Sequence, residues 1–253
     1  MIGLDRAMRR ASRAVLPSGV VPRQILLLAA ISILTHPILD ALNTYGVRWL
    51  MPLRADWFYG DTLFIVDPWL WLVLGLGWIL SRPRRSTRGY VVVATRPARI
   101  ALAVALAYIV AMAGSAAVAR QIVRVELASA GSEPVEQLMV GPRLATPLVR
   151  DVVATQGGSY RVGTFHWLRR PHLDPASLRT FRRERPNDPA VVEAEATTLG
   201  RRFLGWARFP VVQLETVTGG RRLVQLVDLR YADRPGAGFG TATVPVARDT
   251  LTP

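Results

Sequence analysis

One segment of this chain, Ile100–Ala119, is twenty residues long and contains no charged side chain. An α-helix rises about 1.5 Å per residue, so a helix of this length crosses the roughly 30 Å hydrocarbon core of a bilayer. Two more stretches, residues 24–42 and 62–81, are almost as apolar. We therefore expect an α-helical membrane domain with about three transmembrane helices, over about residues 24–42, 62–81 and 100–120.

The short segments that flank these helices differ in charge. Residues 1–23 carry five Arg and one Asp, and residues 82–99 carry six Arg and no acid, whereas residues 43–60 carry only two Arg. Because Lys and Arg accumulate in cytoplasmic loops, this bias predicts that the N-terminus and residues 82–99 are cytoplasmic. The basic segment 1–23 then lies in the cytoplasm or at the membrane surface, and everything after the third helix lies outside.

Composition excludes several classes of protein. The net charge of +14 alone would suggest a polyanionic partner, either nucleic acid or an anionic membrane. Since half of the residues are hydrophobic and many Arg flank apolar segments, we expect the lipid bilayer as the partner and no nucleic acid. The chain has no Cys and no Lys, which rules out disulfides, thiolate metal sites, Schiff-base chemistry and a P-loop lysine.

The C-terminal half, residues 124–253, is less apolar and predicts a small α+β extracytoplasmic domain. Pro189–Trp206 has helical character, with Asp188 placed to cap its first turn. The Arg-rich residues 179–188 predict a loop, and its arginines either form a solvated face or bind a phosphate or lipid headgroup. Strands are predicted at Leu148–Ala154, Tyr160–Trp167, Val211–Val217, Arg222–Leu229 and Phe239–Val246.

Four ionisable side chains interrupt or border the apolar segments. His36 and Asp40 are four residues apart and share a helix face, and Asp61 and Asp67 lie at the start of the second apolar segment. The predicted topology places all four at the outer face of the membrane. One imidazole and three carboxylates suit a divalent ion such as Zn, Mn or Mg, so we expect a metal site there.

Structural roles are open for the same residues. Asp67 precedes Pro68, a combination that is typical of a helix start with Asp as N-cap. His36 and Asp40 are also placed to form a satisfied hydrogen-bonded pair that binds nothing else.

Several motifs resemble one known family. Thr-His-Pro-Ile-Leu-Asp at 35–40, Thr-Tyr-Gly at 44–46, Trp-Phe-Tyr-Gly-Asp at 57–61 and Asp-Pro at 67–68 are similar to those of membrane-bound, metal-dependent hydrolases of bacterial inner membranes, the LexA-binding, inner-membrane-associated family. Tyr160–Gly163, Phe203–Trp206 and Asp228–Tyr231 also fall where members carry like residues. The resemblance covers about residues 24–246 and implies a multi-pass location in the bacterial inner membrane.

By this resemblance, His36, Asp40, Asp61 and Asp67 correspond to the family's polar positions, and divalent-metal hydrolysis of a phosphoester or lipid-like substrate is expected. Members usually begin with further helices that carry a His-Arg-Gly-x-Thr-His-Ser-like motif, which residues 1–23 do not contain. We therefore expect this chain to be N-terminally short. The alternative is a non-catalytic membrane protein whose outer α+β domain binds a partner or scaffolds the envelope.

Overall fold

The protein is described by a computed structural model that covers residues 22–85, 91–92, 94–131, 133–217, 221–231 and 239–246. The basic segment predicted at residues 1–23 lies almost entirely outside the described residues. The N-terminal half of the described chain is helical, and residues 133–246, called here the β-rich region, contain two antiparallel sheets.

Two of the helices in the N-terminal half are long and apolar enough to cross a membrane, by length and composition alone. The remaining helix, α2 (Pro68–Leu80), has only 13 residues and a length of about 20 Å. The expectation of three full spans is therefore not met within the described chain. It starts six residues later than predicted because Asp67 caps it and Pro68 opens it. The three helices are α1 (Pro22–Ala41), α2 (Pro68–Leu80) and α3 (Thr95–Ala130).

In the sequence, two short paired strands, β1 (Arg84–Arg85) and β2 (Val91–Val92), separate α2 from α3. Helices α2 and α3 pack directly against each other. The close approach occurs at Gly77, where a Cβ would lie 2.3 Å from the Cβ of Ala101. Small residues at this crossing let the two backbones come together, as is usual between membrane helices.

The first sheet has four antiparallel strands in the order β3–β4–β5–β6. The two predicted strands in this stretch, 148–154 and 160–167, are present, but the sequence predicts no strand for β3. The prediction of a loop over residues 179–188 is wrong at its start, because residues 179–182 pair with Ser159–Val162 as an edge strand. The strands are β3 (Val135–Arg143), β4 (Thr146–Gln156), β5 (Ser159–His166) and β6 (Arg179–Arg182).

The second sheet has three antiparallel strands, close to the bounds that the sequence predicts, and two helices cover it. The single helix expected over residues 189–206 is interrupted at Thr197, whose Oγ1 accepts the N–H of Gly200 and caps a new helix. These elements are α4 (Pro189–Ala196), α5 (Thr198–Leu204), β7 (Pro210–Val217), β8 (Arg221–Asp228) and β9 (Thr241–Val246).

The four-stranded sheet is buried on both faces. On β4, Val152 and Ala154 point towards Val123 and Leu127 of α3, while Val153 points towards Phe209 beside the second sheet. Helix α3 therefore has two roles. Its uncharged segment, Ile100–Ala119, includes many exposed side chains, whereas its last turns form part of the core of the β-rich region.

Candidate functional site

The His36–Asp40 pair lies on α1, one helix turn apart. His36 Nε2 is 3.4 Å from Asp40 Oδ2, and the two side chains are 82% and 48% exposed. Helix α1 buries none of the residues in its apolar span. The pair therefore faces away from the rest of the described chain.

Asp61 lies in the segment between α1 and α2 and is buried. Nη1 of Arg208, from the β-rich region, donates to both carboxylate oxygens at 3.0 Å. Burial raises the pKa of Asp61, and the Arg208 guanidinium opposes that rise by stabilising the carboxylate. Asp61 has a φ of 49°, a left-handed conformation that is uncommon for Asp and that these contacts hold in place.

Asp67 has two structural functions. Its Oδ1 accepts the N–H groups of Trp69 and Leu70 at 3.0 and 3.2 Å, which makes it the N-cap of α2. Its Oδ2 accepts the hydroxyl of Tyr108 on α3 at 3.0 Å. The structural alternative that the Asp67-Pro68 sequence suggests is thus the one observed.

The four predicted ligands lie in three different settings. Among the described residues, no three His, Asp or Glu side chains form a group that could hold a metal ion. The Asp61 and Asp67 carboxylates each accept hydrogen bonds from protein donors, and the His36–Asp40 pair lies on the exposed helix α1.

A second buried pair lies beside Asp61. Asp228 at the end of β8 accepts the backbone N–H of Arg208 at 2.8 Å and Nη2 of Arg230 at 2.7 Å. Nη1 of Arg230 in turn donates to the carbonyls of Thr44 and Tyr45 at 2.7 and 3.2 Å. Burial acts to lower the pKa of Arg230, but the Asp228 carboxylate holds it above its ordinary value.

Aromatic rings enclose this cluster. The Arg208 guanidinium carbon lies 4.4 Å from the centre of the Tyr59 ring, and that of Arg230 lies 4.6 Å from the Trp206 ring. Cation–π attraction of this kind strengthens as water is removed. The cluster of Asp61, Arg208, Asp228 and Arg230 is called here the arginine–aspartate hub.

A third arginine, Arg150 on β4, is completely buried. Its guanidinium donates to the carbonyls of Asp61 and Met112 and to Oγ of Ser115, at 3.1 to 3.3 Å. Burial lowers the pKa of Arg150 to about 10, so it remains charged at neutral pH. Arg120 of α3 adds a bond to the carbonyl of Gly60 at 2.9 Å.

The sequence patterns do not point to Arg150, Arg208 and Arg230, which bind the segment between α1 and α2. A partial signal exists, since Asp228–Tyr231 and Phe203–Trp206 are among the segments that carry the family resemblance. The contacts of these arginines with Asp61 and Thr44 span 89 to 186 residues, so no spacing pattern in the sequence reveals them.

The β-rich region also contains a cleft of about 300 Å³. It lies between β4, β5 and the turn after β8. Its walls carry charged and hydroxyl groups at Asp151, Thr164, Ser177 and Arg179, and Leu229 and Arg230 line its floor. This mixture suits a small polar group or a polar side chain of a partner.

The Arg-rich stretch 179–188 is largely a solvated face. Arg183 Nη1 lies 3.1 Å from Glu136 Oε2, and Arg185 Nη1 lies 2.7 Å from Glu195 Oε2. Glu136 belongs to β3 and Glu195 to α4. Because both arginines already pair with acids of the protein, the structure favours a solvated face over a phosphate site.

Residues 6–123 match the model of a family described as the YdjM inner membrane protein. No curated protein and no solved structure is significantly similar to the chain. The match covers the helical part and ends within α3, before the β-rich region. Together with the lengths of α1 and α3, it supports the expected membrane location.

Proposed function

We propose that this chain is a membrane-anchored binding or scaffolding protein, in which α1 and α3 hold the β-rich region against one face of the membrane. The main support for this proposal is the bond between Asp61 and Arg208. An acid that the sequence suggests as a metal ligand is here a buried partner of an arginine 147 residues away.

The contacts around this bond suit a scaffold. The segment between α1 and α2 is held by Arg120 and Arg150 at the Gly60 and Asp61 carbonyls, and by Arg230 at the Thr44 carbonyl. Many buried polar bonds of this kind fix a unique arrangement. A scaffold needs such a fixed geometry, whereas a hydrolytic site needs carboxylates that a substrate can reach.

Binding is proposed to occur in the cleft lined by Asp151 and Arg179. A photo-crosslinking residue at Ala176, which lines the cleft, would test this in native membranes, with Val192, an exposed residue of α4, as the control position. We expect a discrete crosslinked product from position 176 that is absent from position 192. Equal crosslinking from both positions would remove the support for the cleft.

The non-catalytic part of the proposal is tested by metal analysis of the purified full-length protein. Asp61→Asn and Arg208→Gln remove opposite partners of one bond, and only Asp61 could ligate a metal. We expect both variants to lose thermal stability to a similar degree and neither to change metal content. Loss of metal in Asp61→Asn alone would favour the enzyme instead.

Metal-dependent hydrolysis of a phosphoester or lipid-like substrate is the second candidate. It is favoured by the exposed His36–Asp40 pair, whose nitrogen and oxygen could bind one ion together with groups from another source. Under this candidate, His36→Ala and Asp40→Ala reduce the metal content of the purified protein. Equal metal content in the wild type and both variants would exclude these two residues as ligands.

A further inference from the structure

Three leucines of the β-rich region are exposed at neighbouring loops. Leu144 lies in the turn between β3 and β4 and is 51% exposed, Leu148 lies near the start of β4 and is 46% exposed, and Leu168, just after β5, is 82% exposed. The two loops are joined, because the backbone N–H of Trp167 donates to the carbonyl of Leu148 at 3.0 Å. Clustered apolar side chains on a protein surface mark a contact with a partner or a membrane.

Contacts with the membrane helices fix the level of these loops. Trp69 Nε1 on α2 donates to the carbonyl of Ala145, in the first loop, at 3.3 Å. Trp167 Nε1, in the second loop, donates to Oγ of Ser115 on α3 at 3.0 Å.

Ser115 lies about 30 Å along the axis of α3 from its first residue, Thr95, at 1.5 Å per residue. Because Arg96 and Arg99 precede the uncharged segment, the span starts near Ile100, and Ser115 lies about 22 Å along it, in the half of the bilayer farther from Thr95. Trp69 lies close to Asp67, which is bonded to Tyr108, about 20 Å along the same axis. Both loops therefore lie within the thickness that α3 spans, and the first lies deeper than Ser115.

Charge at the second loop matches the same partner. The exposed residues Arg169 and Arg170 directly follow Leu168. An apolar tip flanked by arginines suits the boundary between acyl chains and anionic headgroups, since Arg forms paired hydrogen bonds with phosphate.

We propose that the β-rich region lies on the surface of the bilayer that α3 spans. Leu144, Leu148 and Leu168 enter the leaflet next to the β-rich region, and Arg169 and Arg170 bind the phosphates of its anionic lipids. The inference rests on the membrane anchoring by α3 in the proposed function and not on binding in the cleft. Its consequence is that the β-rich region has one fixed orientation on the membrane.

The absence of Cys from the chain permits a direct test by spin labelling. Leu168→Cys and Leu144→Cys are labelled in the full-length protein, in nanodiscs of phosphatidylcholine alone or mixed with phosphatidylglycerol. Val192→Cys is the control, since Val192 is 67% exposed on α4. We expect labels at 168 and 144 to be several-fold more accessible to oxygen than to a water-soluble nickel complex, and the label at 192 to show the reverse.

A label at 168 that is as accessible to nickel as the label at 192 would overturn the proposal, and so would a label protected from both reagents, which indicates a protein contact. The arginines are tested by Arg169→Gln combined with Arg170→Gln, with Arg202→Gln as the control. We expect phosphatidylglycerol to deepen the label at 168 in the wild type and the control, but not in the double variant. No effect of phosphatidylglycerol on any of them would overturn the role of the arginines.

Discussion

Arg208 and Asp61 connect the two halves of the molecule: the guanidinium Nη1 lies 3.0 Å from each oxygen of a carboxylate that is almost fully buried. Asp61 belongs to the segment between the first two helices, and Arg208 precedes the first strand of the second sheet. The bond therefore joins the β-rich region to the helical part, and both oxygens of the Asp61 carboxylate accept from Arg208.

The first prediction concerns the energy of this pair. Removal of one partner from a buried ion pair leaves the other charge uncompensated and typically costs about 3–5 kcal/mol. We expect Asp61→Asn and Arg208→Gln each to lower the free energy of unfolding by about this amount. The double variant should lose much less than the sum of the two, as measured by denaturant unfolding in detergent. Additive losses would show that the two side chains are not coupled.

The second prediction separates the two bonds of Asp67. Asp67→Ala removes the N-cap of α2 and the acceptor for Tyr108, so we expect a loss of about 1 kcal/mol for the cap and a further loss for the hydroxyl. Asp67→Ser should keep the cap, and Tyr108→Phe should remove only the second bond. Thermal unfolding midpoints should therefore fall furthest for Asp67→Ala. The same midpoint for Asp67→Ala and Tyr108→Phe would show that the cap contributes nothing.

The third prediction concerns stability at acidic pH. Asp188 caps α4 by accepting the N–H of Ala190 and also pairs with Arg222, and these two contacts lower its pKa below the usual 3.8. A carboxylate with a lowered folded-state pKa stabilises the protein above its unfolded pKa, and this contribution is lost as the pH falls through the folded value. Below about pH 4, unfolding midpoints should fall less steeply with pH for Asp188→Asn than for the wild type. Parallel curves would contradict the coupling.

Local features of this chain could be predicted from its sequence. The uncharged Ile100–Ala119 segment indicates α3, and Asp188-Pro189 indicates the start of α4. Both signals depend only on residues that are close together in the sequence. The N-terminal part of the family resemblance agrees with the matching inner-membrane family.

The candidate site could not be predicted in the same way. Whether an Asp binds a metal or an arginine depends on what the fold brings to it. Arg208 reaches Asp61, and Arg230 reaches Thr44, through tertiary contacts that span 147 and 186 residues. Strand β6 could not be predicted from its hydrophobic pattern either, because its residues are mostly polar and form an edge strand through backbone pairing with β5.

The last prediction concerns the packing of α2 on α3. A Cβ at Gly77 would lie 2.3 Å from the Cβ of Ala101 and 3.4 Å from the carbonyl of Pro97, so a larger residue must push the helices apart. Gly75, on the same helix, has no atom within 4 Å of a Cβ and gives a matched control. We expect Gly77→Val to lower the thermal midpoint of the protein in detergent markedly, and Gly75→Val to leave it almost unchanged.

Ala101→Gly makes room at the same contact and tests the cause. Combined with Gly77→Ala, it should restore part of the stability that Gly77→Ala alone removes, because the two methyl groups no longer compete for one space. Equal losses at positions 75 and 77 would instead point to a general cost of β-branched residues in α2. If the close contact at Gly77 is the cause, the loss of stability must be specific to position 77, and Ala101→Gly on the facing helix must reduce it.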